Sequence, residues 1–306
     1  MWNDGVSVLI ADSMLKEHGS LFRFTMSASA SSTILRCAVI SDTHGHHQRM
    51  SKEVDEIGGD VLIHAGDACV CGSSEEVFGF LTWFVARPFA HLIFVPGNHD
   101  LILDAEAYLA HGAAWIEGDL EDVEVFAADL AAFCDAHPSL HILTESATRV
   151  EIEGVVFGGS PAQPRQPKAR PQMAWGYPRG SSGLRDAYAC LPDDAHVIIT
   201  HTPPLGIMDA TARGRGGVKA HGCADLMKTI KSISPSVHVF GHIHQGYGVE
   251  QTKRTLFINA ATCTAKGSIP DQDLNPVIVF GIDPEKGRNS RSNKNPGHVI
   301  HPPPDA

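Results

Sequence analysis

An α/β layered domain is the fold class this sequence predicts, and two observations carry it. Short apolar runs alternate with stretches of helical periodicity over residues 34–283. The chain has 306 residues, 43% of them hydrophobic and 19% charged, which is enough apolar content for one thick core. Disorder as the main state is thereby excluded.

The elements follow in order. Five apolar runs, Ile34–Ile40, Val61–Ala65, His91–Val95, His196–Thr200 and Val237–Phe240, read as buried strands. A second group, Arg149–Phe157, Tyr247–Glu250, Thr255–Asn259 and Val277–Ile282, is bounded by turn residues and is expected to include antiparallel strands. Helical periodicity marks Gln48–Ile57, Ser74–Ala86, Leu120–Ala136 and Ala224–Ile233. The stretch Ser160–Gly183, rich in Pro, Gly, Arg and Gln, is long for a plain connection, and such loops are commonly functional or mobile. Residues 1–33 end in the small-residue segment Ser27–Thr33 and read as a flexible extension. Residues 284–306, with little to bury, read as a disordered tail.

Charge and cysteine content narrow the function classes. Against 35 Asp and Glu stand 24 Lys and Arg, a net charge of −11, so general coating of nucleic acid would work against the mean field. No run approaches the roughly 18 apolar residues of a membrane span, and the apolar stretch Val6–Ala11 is short for a signal peptide. Seven cysteines, an odd number without a CxxC, suit a reducing compartment, and the expected location is cytoplasmic.

The chemistry sits at the ends of the first five runs. Ile40 leads into Ser41-Asp42-Thr43-His44-Gly45, Ala65 into Gly66-Asp67, and Val95 into Pro96-Gly97-Asn98-His99-Asp100. Thr200 leads into His201, and Phe240 into Gly241-His242-Ile243-His244. Carboxyl ends of strands in an α/β sheet form the crevice where ligands bind, so these clusters are expected to meet. Any one of them is weak, because two-residue His and Asp spacings arise by chance. Five at successive strand ends point to a metal site. Asp, His and one Asn, with no cysteine required, suit Mn²⁺, Fe or Zn²⁺. Two such ions about 3.5–4 Å apart clamp a phosphoryl group and activate water. The glycines beside them allow tight strand-end turns.

In this order D-x-H, G-D, G-N-H-[DE], H and G-H-x-H resemble the calcineurin-like metallophosphoesterase superfamily. The likeness spans Ile34 to Ile282. Residues 200–206 (THTPPLG), 222–226 (GCADL), 238–248 (HVFGHIHQGYG) and 258–264 (INAATCT) resemble its brain-enriched metallophosphoesterase-domain branch, a class III phosphodiesterase group with fungal relatives. That resemblance implies a four-layer α-β-β-α sandwich of two mixed sheets flanked by helices, over residues 34–283. It also implies two divalent metal ions, one held by Asp42, His44 and His244 and the other by Asn98, His201 and His242, with Asp67 bridging. His99 is implied as the general acid, while a bridging hydroxide attacks phosphorus in line. Asp100 takes a supporting place. The animal branch can carry Gly at the first His of G-H-x-H, which weakens metal binding, whereas this chain has His242.

The expected activity is phosphodiester hydrolysis on a small-molecule phosphoester or nucleotide, cyclic or 2′,3′-cyclic forms among them. Phosphomonoester or phosphoprotein hydrolysis is the nearest alternative. The Ser/Thr protein phosphatases continue after Gly-Asp with an Asp-Arg-Gly triplet, where this chain has Val70-Cys71-Gly72; it lacks both the phosphate-gripping Arg and the Asp that supports the catalytic His. A non-catalytic scaffold of the same fold, like the retromer subunit, is a third reading. Other candidates have ordinary roles beside possible functional ones. His46, His47, His64, His91, His111 and His238 fit no block and read as surface or core residues. Cys69 and Cys71 read as inert thiols. Cys223 opens a helix whose N-terminus either caps itself or receives a phosphate oxygen. The glycine-rich basic stretch Ala210–His221 reads as a mobile loop or a substrate contact.

Overall fold

The computed structural model describes residues 6–10, 34–165, 173–213, 217–264 and 273–284, with backbone only at 6–10 and 213. In chain order the strands are β1 (Val6–Ile10), β2 (Leu35–Ile40), β3 (Gly59–His64), β4 (Phe89–Phe94), β5 (Leu140–Ile142), β6 (Arg149–Ile152), β7 (Val155–Ser160) and β8 (Gln163–Pro164). They continue with β9 (Gly176–Tyr177), β10 (Val197–Thr200), β11 (Ala210–Arg213), β12 (Gly217–Ala220), β13 (Val237–Phe240), β14 (Gly248–Gln251), β15 (Leu256–Asn259) and β16 (Ile278–Ile282). The helices are α1 (Ser51–Ile57), α2 (Ser74–Val85), α3 (Ala105–His111), α4 (Val123–Ala136), α5 (Ser182–Ala189) and α6 (Ala224–Ile233).

Two six-stranded sheets form, in the orders β1-β16-β2-β3-β4-β5 and β14-β15-β13-β10-β7-β6. Both are mixed. In the first, β2 to β5 run parallel and the β1, β16 side is antiparallel. In the second, β15, β13, β10 and β7 are parallel, with antiparallel β14 and β6 at the edges.

The layering follows from the period-2 alternation of strand side chains. Leu35, Cys37, Val39, Val61, Ile63 and Ile93 of the first sheet meet Val155, Phe157, Val197, Ile199, Val237 and Ile258 of the second in one core between the sheets. Alternate residues Ala38, Ile40, Leu62, Leu92 and Phe94 face outward onto Val54 of α1 and Val77, Phe80, Leu81 and Phe84 of α2. On the far side Val156, Ile198, Phe240 and Phe257 pack on Leu184 and Tyr188 of α5 and Leu226 and Ile230 of α6. Each such side chain contributes about 1.5–3 kcal/mol of burial. The result is the expected α-β-β-α order.

Local signals explain the boundaries. Ser73 caps α2 in a capping box with Glu76. Asp122 caps α4, whose only buried residue is Phe126, so the acidic run from Glu117 to Asp135 lies on a largely solvated segment. Arg149–Phe157, read as one run, is a hairpin: the chain reverses at Glu153 (φ 47°) and Gly154 (φ 82°) between β6 and β7.

The reading of residues 1–33 as a flexible extension needs correction at Val6–Ile10. This segment pairs antiparallel with β16 as the edge strand of the first sheet. An apolar, β-branched run satisfies an open edge even when it is distant in sequence. Residues 1–5, 11–33 and 285–306 lie outside the described residues. The Ser160–Gly183 stretch carries the short β8–β9 pair and the start of α5, and within Ala210–His221 the strands β11 and β12 pair antiparallel, while residues 214–216 lie outside the described residues. Among the described residues no helix is long and apolar enough to cross a membrane.

Candidate metal centre

The carboxyl ends of β2, β3, β4, β10 and β13 meet where the two sheets touch. The contact is a seam in which Ser41 pairs with Ala261, and Ser41 and Asp42 carbonyls accept from Thr262 (2.7 Å) and Cys263 (3.2 Å). All seven predicted ligands and His99 border this seam. Four of the ligands, Asp42 (φ 51°), His44 (41°), Asp67 (55°) and His242 (65°), have left-handed backbone conformations. Such conformations cost about 1–3 kcal/mol each and persist only where the surroundings enforce them. Here they turn each side chain back across the strand end.

Three groupings emerge, each with one N or O atom per residue within 4.8 Å of the others: first Asp42, His44 and His244, second Asp67, His201 and His242, and third His44, Asp67 and His99. In the first, His44 Nδ1 lies 3.1 Å from the Cys69 carbonyl and His244 Nδ1 3.2 Å from the Thr264 carbonyl. A carbonyl only accepts, so both Nδ1 atoms carry the proton. The Nε2 atoms lie 3.3 Å apart, with Asp42 Oδ1 3.3 Å from His244 Nε2. Burial opposes charge on the His244 imidazole, but the Asp42 carboxylate outweighs it and raises the group. In the second, His201 Nδ1 donates to the Ala65 carbonyl (2.9 Å). Its Nε2 faces Asn98 Oδ1 (3.1 Å), His242 Nδ1 (3.1 Å) and Asp67 Oδ2 (3.3 Å). Asp67 Oδ2 also lies 3.8 Å from His44 Nε2, between the first and second groupings. Nitrogen and oxygen atoms converging in this way fit a divalent cation, which would displace the protons that otherwise lie between them, and such a donor set suits a borderline divalent ion.

The electrostatics agree. Burial raises the Asp42 and Asp67 carboxyls, but the facing imidazoles outweigh it and hold both below the usual range. His201 is opposed by burial yet carried up to about 9 by Asp67 and Asp42. Burial, then the His201 charge, push His242 down to about 3. A bound cation would replace the proton that His201 holds.

His99 stands apart. Its Nδ1 is 2.6 Å from the Val70 carbonyl, its backbone N–H donates to Asp67 Oδ1 (2.8 Å), and its ring meets His44 edge-on at 4.7 Å. It also groups with His44 and Asp67 at ligand distance. Because Nδ1 is engaged by a carbonyl, Nε2 is the nitrogen left for chemistry. Asp100 points away from the crevice: its carboxylate accepts from the backbone N–H groups of Gly97 (2.7 Å), Asp67 (3.0 Å) and Cys69 (3.0 Å) and so ties two ligand turns together. Burial, then Asp67, raise it to about 6.

Other candidates resolve as structural. His64 and His238 are fully buried, with Nε2 on the hydroxyls of Thr43 (3.0 Å) and Thr200 (2.9 Å). Cys69 is a buried thiol pushed up by burial and by Asp100. Cys223 caps α6, its sulfur accepting from Leu226 N–H at 3.4 Å. The β11–β12 hairpin leans on His244–Gly246, with Ala212 N–H donating to Gln245 Oε1 (2.8 Å). Sequence reasoning missed Met173, whose sulfur accepts from Asn98 Nδ2 at 3.2 Å and fixes which end of the amide faces His201. Nothing in a Pro- and Gln-rich loop marks one Met for this place.

Residues 35–246 match the calcineurin-like phosphoesterase family. The human metallophosphoesterase domain-containing protein 1 is 33% identical over 265 residues, 83% of this chain and 72% of that protein. A UPF0046 protein of Caenorhabditis elegans is 33% identical over 253 residues, 80% of this chain and 75% of its own. Among solved structures, the phosphopantetheinyl hydrolase of Mycobacterium tuberculosis shares the fold with a TM-score of 0.50 at 16% identity, covering 78% of this chain and 94% of that one. TT1561 of Thermus thermophilus does so at 0.51 and 14%, covering 75% and 90%. The chain is a member of the calcineurin-like phosphoesterase family.

Proposed function

We propose that this protein is a binuclear metal-dependent phosphodiesterase acting on small phosphodiesters, with nucleotides and cyclic or 2′,3′-cyclic nucleotides as the substrate class. One observation carries the reading: two sets of nitrogen and oxygen donors converge beside a shared carboxylate, with the rings of His44, His244 and His201 oriented by Nδ1 contacts to backbone carbonyls. Asp42, His44 and His244 would hold one ion, Asn98, His201 and His242 the other, and Asp67 both. Divalent ions there supply Lewis acidity toward the phosphoryl oxygens and a hydrolytic nucleophile near neutral pH.

The chain's own residues do the rest. His99 Nε2 passes a proton to the leaving oxygen as its bond to phosphorus breaks, and Val70 keeps the ring oriented. The diester preference is supported by the likeness to the phosphodiesterase branch and by Val70-Cys71-Gly72 standing where protein phosphatases carry their phosphate-gripping Arg. Manganese fits the donor set, and seven cysteines outside any disulfide suit the cytoplasm.

Turnover of bis-p-nitrophenyl phosphate, 2′,3′-cyclic nucleotides and p-nitrophenyl phosphate, assayed with Mn²⁺, Zn²⁺, Mg²⁺ and Co²⁺, tests the reading. Metal-dependent turnover favouring the diesters is expected. Asp67→Ala should lose about 10³-fold or more, the equivalent of about 4 kcal/mol. Preference for the monoester would make the protein a phosphatase. Failure to bind metal or to turn over any ester would leave a scaffold of the same fold.

A further inference from the structure

We propose that Glu76 is a positioning residue for His99 and acts through the carbonyl of Val70. The proposal rests on the reading of His99 as proton donor to the leaving oxygen. In the Ser/Thr protein phosphatases an Asp supports the corresponding His; among the described residues no carboxylate meets Nδ1 of the His99 ring, and Asp67 accepts only from the His99 backbone N–H. That Nδ1 instead meets a main-chain carbonyl, Val70 O, at 2.6 Å. A backbone carbonyl orients a ring only as well as its own peptide is held, and Val70 is itself exposed, at 41% accessibility.

Glu76 holds that peptide and its neighbours. Its Oε1 accepts from Val70 N–H (3.1 Å), and its Oε2 from the N–H groups of Cys71 (2.9 Å), Gly72 (2.7 Å) and Ser73 (3.4 Å). A capping box needs only the Ser73 contact. The three additional amides belong to the turn that carries the carbonyl, and charge-assisted bonds of this kind are about twice as strong as neutral ones. The far side of the turn is fixed by contact with the histidine's own backbone. Gly72 has φ +76°, and a Cβ there would collide with the Leu101 amide and the His99 carbonyl. Gly72 O also accepts from Ile102 N–H at 3.0 Å. Carboxylate, turn, carbonyl and imidazole thus form one continuous chain of contacts, and Glu76 reaches the reacting group only through it.

Glu76→Gln separates this role from helix capping. Gln remains competent at the N3 position of a capping box, but its amide offers one acceptor oxygen where the carboxylate offers two. Either Val70 or the other three amides then face an NH₂ group. Ser73→Ala is the control, because it removes the hydroxyl that accepts from Glu76 N–H (3.2 Å) and leaves the carboxylate fan in place.

The full chain with Mn²⁺ is assayed on a series of bis-aryl phosphates whose leaving groups run from p-nitrophenol, which departs without a proton, to unsubstituted phenol, which needs one. Glu76→Gln should lower kcat on the phenyl ester by about 10–100-fold, the range seen when a supporting partner is lost, with KM and bound metal unchanged and the p-nitrophenyl ester affected less than about threefold. Ser73→Ala should lower Tm and leave the leaving-group dependence as in the wild type. An equal loss on every ester, an unchanged dependence or a drop in bound metal in Glu76→Gln overturns the proposal. His99→Asn locates a failure. If it too leaves the dependence unchanged, the reading of His99 as donor is wrong; if it steepens the dependence while Glu76→Gln does not, only the role of Glu76 is. Nitrogen-15 NMR of the wild-type histidines gives a test that does not need the variant to fold. His99 should show a protonated, hydrogen-bonded Nδ1, and an unprotonated Nδ1 would overturn the proposal.

Discussion

The turns of the first sheet and those of the second build unlike halves of the centre. Asp42, Asp67 and Asp100 come from the first sheet, where carboxylates gather backbone amides: Asp100 takes three and Glu76 four. The second sheet brings His201, His242 and His244, with His201 and His244 steered by carbonyls. The Asp42 carboxylate is met across the seam. His242 N–H donates to both Asp42 oxygens (3.0 and 2.9 Å), and His244 Nε2 lies 3.3 Å from Asp42 Oδ1. The groupings Asp42–His44–His244 and Asp67–His201–His242 each draw on both sheets, so their geometry depends on how closely the two sheets approach.

The largest effect is expected where that approach is tightest. A Cβ on Gly241 would collide with Asp42 Oδ2 and Ser41 Oγ, one sheet's turn striking a proposed ligand on the other. Gly241→Ala should therefore separate the halves and lower bound metal and activity by about 10²-fold, as misplacement near 1 Å does. Metal content by elemental analysis, with circular dichroism as a check on folding, measures it. Full metal loading in this variant would break the comparison.

A smaller effect comes from what the halves share. Each buries one histidine beneath its turns, His64 in the first and His238 in the second, and burial pushes both from 6.5 down to about 3. With the folded value below the unfolded one, the unfolded chain takes up protons first. The stability from the neutral rings is complete above about pH 6.5 and falls as pH drops toward 3, by up to about 1.4 kcal/mol per pH unit for each ring. Urea unfolding between pH 6.5 and 4 should show this slope, and His238→Gln should reduce it by roughly one ring's share. An unchanged slope would mean that the second half's histidine carries no such linkage.

The smallest effect lies away from the seam. Arg149 on β6 pairs with Asp194, both side chains more than two-fifths exposed. Asp194→Asn should cost less than about 1 kcal/mol in denaturant unfolding and leave metal content unaltered. A loss of metal there would show that the outer edge of the second sheet reaches the centre.

Legibility in the sequence followed the range of the interactions. Parallel strands buried on both faces read as continuous apolar runs, so β2, β3, β4, β10 and β13 were visible, and with them the turns bearing Asp42, Asp67, Asn98, His201 and His242. Strands β1 and β5 were not, because a short or distant edge segment is chosen by the open partner it finds. Helices α3 and α5, seven and eight residues long, show too few turns for a periodicity to register, whereas the seven-residue α1 is lengthened by the 3-10 turn His47–Met50 before it. The β11–β12 hairpin was hidden by its glycines.

What the sequence by itself determined is the composition of the centre: which side chains stand at strand ends, and hence an Asp, His and Asn donor set without thiolate. Only the tertiary structure decided the protonation and orientation of those groups. The carbonyls that fix the rings of His44, His201, His244 and His99 belong to Cys69, Ala65, Thr264 and Val70. A carbonyl is present at every residue and leaves no mark in the sequence. Its placement depends on turns held by Asp100 and Glu76 and on two sheets meeting at Ser41 and Ala261, contacts that exist only once the chain has folded.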